Sequence, residues 1–401
     1  MCYNRILSLA ILLFIIVSPG SGQGKVSPLE IAAAMDMKSI EHTFINMDKY
    51  FPIKEIRKTK SPHIFPKGAS VELPSTFDYE GEEFEVAKFI DSSYTQGLLI
   101  IQDDQLVYED YMRGQTEETR HISWSMAKSY ISALFGIAID EGYIKSIEQT
   151  VDEYVPSLKE SGYEGVSIKD VLQMSTGVKF DETYSDPNSD INRWFQAFIL
   201  GQSQDTFAGT LVNEREPGTY NQYVSINTHV LGMILARATG RSVTDYMTEK
   251  ICEPIGIEHD MFWLIDGEET EMYLGGLNAT LRDFAKLGQL FLHKGNWKGK
   301  QLVSTSWVEV STRADGEHVQ PHSKNSASPG RGYGYQWWVT DGDEGEFMAI
   351  GVFNQYVYVN PTTKTVIAKN SANQNFYDGS NPYASSLVHL EMFRKIAHSI
   401  K

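Results

Sequence analysis

Cysteine is almost missing from this chain: 401 residues contain two, Cys2 and Cys252. Cys2 lies ahead of an apolar leader, so Cys252 stands alone in a mature chain and no internal disulfide framework is possible. Its reading is a small buried apolar residue rather than a reactive thiol. Long apolar runs are also lacking. The run Ile6–Val17 is shorter than the ~20 residues that cross a bilayer. It follows Arg5 and precedes Pro19-Gly20-Ser21-Gly22, so residues 1–22 read as a secretory signal and the expected location is secreted or periplasmic. There is no basic block: the formal charge of −17 is spread along the chain, which argues against nucleic acid, and against a membrane partner beyond the signal segment. No His-Glu-x-x-His or Cys/His set occurs and the ten histidines show no ligand spacing, so neither a metal nor a cofactor is called for. The missing Gly-x-Ser-x-Gly elbow excludes the α/β-hydrolase arrangement.

What is present is ample core material, 41% hydrophobic and 12% aromatic residues, which excludes disordered and fibrous classes. Residues 23–80, interrupted by Pro28, Pro52, Pro62, Pro66 and Pro74, read as an irregular N-terminal wrap. Gly97–Ile101 and Leu106–Tyr108 flank Asp103-Asp104 as a β-hairpin. A helix is expected from Ser125 to Glu141, followed by helical pieces over 151–269, a helix at Leu281–His293, strands between 335 and 368, and an amphipathic helix at the C-terminus. This order predicts an α+β fold. Residues 81–150 and 270–401 build one antiparallel sheet flanked by helices, and a mainly helical region, 151–269, is inserted between them.

Ser125-Met126-Ala127-Lys128 opens the apolar helix, so a hydroxyl and an amine three residues apart share one helix face. The free N–H groups of the first turn can stabilise an oxyanion there. A Ser-x-x-Lys arises by chance roughly once in a chain of this length, so its weight comes from context. Three later stretches follow in order: Pro217-Gly218-Thr219 with Tyr223-Val224-Ser225, Gly276–Asp283, and Gly351-Val352-Phe353-Asn354-Gln355. Together they resemble the serine β-lactamase and penicillin-binding-protein superfamily, in the branch of class C β-lactamases, carboxylesterases and nylon-oligomer hydrolases. Val171–Met174 and Phe180–Pro187 are most similar to the 6-aminohexanoate-oligomer hydrolases.

The resemblance implies a serine hydrolase that forms an acyl-enzyme on Ser125 with Lys128 and Tyr223 as acid/base pair, either of which could be the base. It also implies an oxyanion held by the N–H groups of Ser125 and Val352, with Gly351 permitting close approach of a small-molecule ester or amide. Two motifs depart from the superfamily set. Ser225 stands where the branch commonly has Asn, and is open to three uses: bonding Lys128, bonding substrate, or capping its helix. Ala349-Ile350-Gly351 stands where a Lys-Thr-Gly holds the substrate carboxylate, so turnover of β-lactams and free C-terminal D-amino acids is disfavoured. A D-amino-acid peptidase or weak β-lactamase is the alternative enzyme, and a non-catalytic binding protein on the same scaffold the alternative class. Asp181, Glu182 and Asp186 are read as a solvated acidic loop. Asn354, Gln355, His121 and Trp337-Trp338 are read as structural.

Overall fold

The computed structural model describes residues 26–328 and 330–400; the leader at 1–22 lies outside them. The anticipated hairpin forms from β1 (Thr95–Gln102) and β2 (Gln105–Tyr111). Asp103 and Asp104 turn it with φ of 45° and 67°, the left-handed pair that matches strand twist in a two-residue turn. β1 reads Leu-Leu-Ile-Ile without alternation because both faces are covered. Leu99 and Ile101 enter one hydrophobic core, and Leu98 and Ile100 the other.

Five further strands come from the C-terminal third: β3 (Gly332–Tyr333), β4 (Trp338–Val339), β5 (Phe347–Gly351), β6 (Gln355–Asn360) and β7 (Thr365–Ser371). They make one antiparallel sheet in the order β3-β4-β5-β6-β7-β1-β2. The two ends of the chain meet where β7 pairs with β1, Ile367 opposite Ile100.

Six helices matter for the site, labelled here in chain order: α1 (Pro28–Ala34), α2 (Ala127–Asp140), α3 (Asp190–Ile199), α4 (Ser225–Thr239), α5 (Leu281–Leu292) and α6 (Ser386–Ser399). α5 lies on one face of the sheet, where Gly288 meets the methyl groups of Val357 and Val366 so closely that a side chain would clash. α6 covers the other face with Phe393 and Ile396. α2 is buried continuously from Ala127 to Ala138 and packs on α4. Among the described residues no helix is long and apolar enough to cross a membrane.

Two expectations need correction. The N-terminal wrap is less irregular than its prolines imply. Ser27 and Glu30 form a reciprocal capping box that starts α1 with Pro28 in its first turn, where proline loses no hydrogen bond. Met261–Leu264, inside the region read as helical, is a strand, because four consecutive buried apolar residues bounded by polar turns suit a covered strand. It joins a second antiparallel sheet with Ile53–Ile56, Leu277–Ala279 and His121–Ile122. That sheet delivers the chain to the start of α2.

Candidate active site

Ile122 pairs opposite Asn278, and the next residue, Ser123, donates its N–H to the Leu277 carbonyl at 2.8 Å. From this anchor the chain makes a single 3₁₀ turn, Trp124–Met126, and runs into α2. Trp124 takes a φ of 45°, uncommon for a bulky side chain and costing about 1–3 kcal/mol. Edge-to-face packing on Phe44, with ring centres 5.4 Å apart, and contact with Phe353 at 5.9 Å hold it there. Gly275 fits against the Trp124 backbone from the other side. Ser125 follows, half-buried and facing a cleft.

One turn on, Lys128 is buried (1% exposed) and donates to the Leu274 carbonyl at 3.0 Å. Burial lowers its pKa to about 7, against the attraction of Glu182, since a low-dielectric site penalises the charged amine. Tyr223 hydrogen-bonds the Ser125 side chain, and its ring lies 5.4 Å from the Lys128 ammonium. Burial and the nearby Glu182 raise the phenol's pKa, and the bond to Ser125 opposes the rise. Trp338 stacks on Tyr223 at 5.3 Å and 16°, and Tyr333 meets it edge-on. The structure thus brings together Ser125 and Lys128 from the start of α2 and Tyr223 from the stretch before α4.

Ser225 opens α4 and gives its hydroxyl to Glu182 at 2.5 Å and its N–H to the same carboxylate at 3.0 Å. Of the three uses left open for it, this is nearest to a cap, with a carboxylate from another segment as acceptor. Glu182 is therefore not part of a solvated loop. It turns inward, also accepting from Tyr184 at 2.7 Å, and burial raises its pKa against these bonds and the Lys128 charge. Asp181 and Asp186 remain exposed, bonded to nearby backbone N–H groups. Sequence reasoning missed Glu182 because three acids within six positions look alike. The only available signal was its place two residues before Tyr184 in the family-like stretch.

Gly351 ends β5 directly against this turn: a Cβ there would overlap the Ser123 carbonyl oxygen. Val352 lines the cleft beside Ser125. Phe353 and Asn354 form the left-handed turn into β6, with φ of 63° and 70°. Gln355 ties that turn to β7 by bonds to Phe353 and to both backbone groups of Ser371. Asn354 bonds the Ala384 carbonyl and Tyr356, so both amides hold the loop in place. His121 is fully buried between the Ile122 carbonyl and Gln96, its pKa lowered to about 4 by burial. Trp337 is core, whereas Trp338, also read as core, is half-buried against Tyr223. Asn278-Ala279-Thr280 has the form of an N-glycosylation sequon, but Asn278 is fully buried on its strand, which removes it as an acceptor in the folded protein.

The cleft around Ser125 is apolar on most sides, with Trp194, Phe195, Leu274 and Phe353 among its walls. Its polar groups belong to Ser125, Ser225, Tyr184, Tyr377 and Asn192, and among the described residues no Lys, Arg or His lines it. Among the described residues, no group of three His, Cys, Asp or Glu side chains is placed to hold a metal.

The family model described as Beta-lactamase matches residues 92–389. The 6-aminohexanoate-dimer hydrolase of Paenarthrobacter ureafaciens is 32% identical over 291 residues, covering 71% of this chain and 74% of that protein. Among solved structures, a Bacillus anthracis protein assigned as a 6-aminohexanoate-dimer hydrolase superposes with a TM-score of 0.80 at 23% identity. The match covers 96% of this chain and 98% of that one. EstCE1, a hydrolase with promiscuous acyltransferase activity, superposes at 0.63 with 14% identity over 78% and 96% of the two chains. These matches, the shared α+β fold and the Ser125-Lys128-Tyr223 grouping lead to one assignment: the chain belongs to the Beta-lactamase family and is a serine hydrolase of the esterase, amidase and penicillin-binding-protein type.

Proposed function

We propose that the protein is an exported hydrolase of esters or linear amides that works through an acyl-enzyme on Ser125. The observation that carries this reading is the pairing of a half-exposed Ser125, bonded to Tyr223, with a buried Lys128 whose pKa of about 7 leaves much of its amine unprotonated at neutral pH. Ser125 Oγ attacks the carbonyl and its proton passes to Lys128. The Tyr223 phenol, kept protonated by burial, gives its proton to the departing oxygen or nitrogen and regains one from Lys128. The N–H groups of Ser125 and Val352 hold the oxyanion. Water then adds to the acyl carbon with the same pair accepting its proton, and Ser125 leaves with its own restored. Glu182 holds the start of α4, and with it Tyr223, against Lys128.

Among the described residues no Lys, Arg or His lines the apolar part of the cleft, which favours uncharged acyl groups there; Arg331, stacked on Trp338 beside Tyr223, stands outside that part. The P. ureafaciens relative, named for an aminohexanoate dimer, is consistent with linear amides as one substrate class. The test is intact mass and product release with a short p-nitrophenyl ester, a linear aminohexanoate dimer and a penicillin, for wild type and Ser125→Ala. Ester or amide turnover lost in the variant is the expected result. A stable penicilloyl adduct without ester turnover would establish the penicillin-binding alternative, and no reaction with any of them a non-catalytic role. Sequencing the N-terminus of the secreted protein tests export.

A further inference from the structure

The apolar cleft is not built by the family-matched region alone. Met35 and Met37 line it beside Trp124, Phe353 and Leu274, and both precede residue 92, where the family match begins. Their segment is firmly seated. The Thr43 hydroxyl bonds the Ala34 carbonyl at 2.6 Å, the Gln96 amide bonds the Glu41 carbonyl at 2.9 Å, and the Ile122 N–H bonds the Phe44 carbonyl at 3.0 Å. Phe44 itself wedges between Trp124 and Phe353, with ring centres at 5.4 and 5.1 Å. The end of α1 is thereby held over the cleft, with Met35 buried and Met37 half-buried.

Resting on the acyl-enzyme reading above, we infer that Met35 and Met37 form the specificity wall for a linear, uncharged alkyl acyl group. In this arrangement the N-terminal segment sets the chain length that the cleft accepts. The chemistry fits the position. Thioether side chains are unbranched and adapt to a flexible methylene chain, and the indole and phenyl rings opposite offer area without charge. Along this wall no Lys, Arg or His is among the described lining residues, so a terminal carboxylate on an acyl chain lying here would be desolvated without a partner.

The experiment measures kcat/KM for p-nitrophenyl butanoate and dodecanoate with wild type, Met37→Ala and Met37→Trp. Met37→Ala should move the dodecanoate-to-butanoate ratio up and Met37→Trp should move it down, each by roughly tenfold, the discrimination that a few methylenes provide in an apolar pocket. Ratios that stay at the wild-type value, or move the same way in both variants, overturn the inference while leaving the hydrolase intact. A wild type that hydrolyses neither ester, with Ser125 unlabelled by a fluorophosphonate, overturns the acyl-enzyme reading and this inference with it.

Discussion

Two buried lysines, one in the first turn of α2 and one on α5, have nearly equal burial and opposite surroundings. Lys286 is fully buried and meets Asp283 at 2.9 Å, Glu258 at 3.1 Å and the Gly256 carbonyl at 2.8 Å. Lys128 has one carbonyl and a carboxylate that is itself engaged by Ser225 and Tyr184. The first cation is matched by two anions and serves as a brace. The second is under-compensated, so burial drives its proton off near neutral pH. Burial alone therefore does not mark a catalytic amine; burial with incomplete neutralisation beside a nucleophile does.

The comparison is broken most severely by exchanging each lysine for methionine. Lys128→Met should lower kcat for ester hydrolysis by about 10³-fold or more while melting close to wild type, because it removes the base and leaves no pair of anions stranded. Lys286→Met should do the reverse, costing about 3–5 kcal/mol of stability by denaturant unfolding, with activity per folded molecule retained. Tyr223→Phe should lose about 10²-fold in kcat, with the larger loss on amides, whose leaving nitrogen needs the proton more than a phenolate does.

A smaller effect concerns pH. Activity should rise with pH through about 7 as Lys128 releases its proton. Glu182 holds the lysine's pKa up, so Glu182→Gln should move that limb of the kcat/KM profile to lower pH, with a loss of about tenfold at the plateau from the loosened start of α4. An unshifted limb would show that Glu182 acts only on position. The smallest expected effect is that of Asp181→Asn, one residue away and exposed, which should leave both stability and pH profile within about 0.5 kcal/mol of wild type.

The difference between Asp181 and Glu182 also marks the limit of what can be read without coordinates. Ser125 and Lys128 were legible because helical spacing ties them together locally, and the β1–β2 hairpin because Asp103-Asp104 carries its own turn chemistry. The α+β architecture, with one antiparallel sheet drawn from both ends of the chain, followed from the order of strand and helix signals, and α6 from its periodicity; that β7 and β1 are the strands that join the ends did not. Tyr223 needed the order of motifs rather than any local pattern. Glu182 and the two methionines were illegible for a shared reason: their roles depend on which way an irregular segment faces after folding, and for Glu182 the neighbouring acids Asp181 and Asp186 face solvent. The Ser27-Pro28-Leu29-Glu30 signature of α1 was readable as a capping box, but the prolines around it outweighed it.

Trp124 carries the remaining consequence. Its left-handed backbone aims Ser125 into the cleft and is sustained by Phe44 from outside the family-matched region. The nucleophile's posture is thus a tertiary property, not one stored in the Ser-x-x-Lys turn. Displacing Phe44 would remove that support from the Trp124 turn and with it the aim of Ser125. In that sense the segment around Phe44 acts as a tensioner for chemistry performed some eighty residues later.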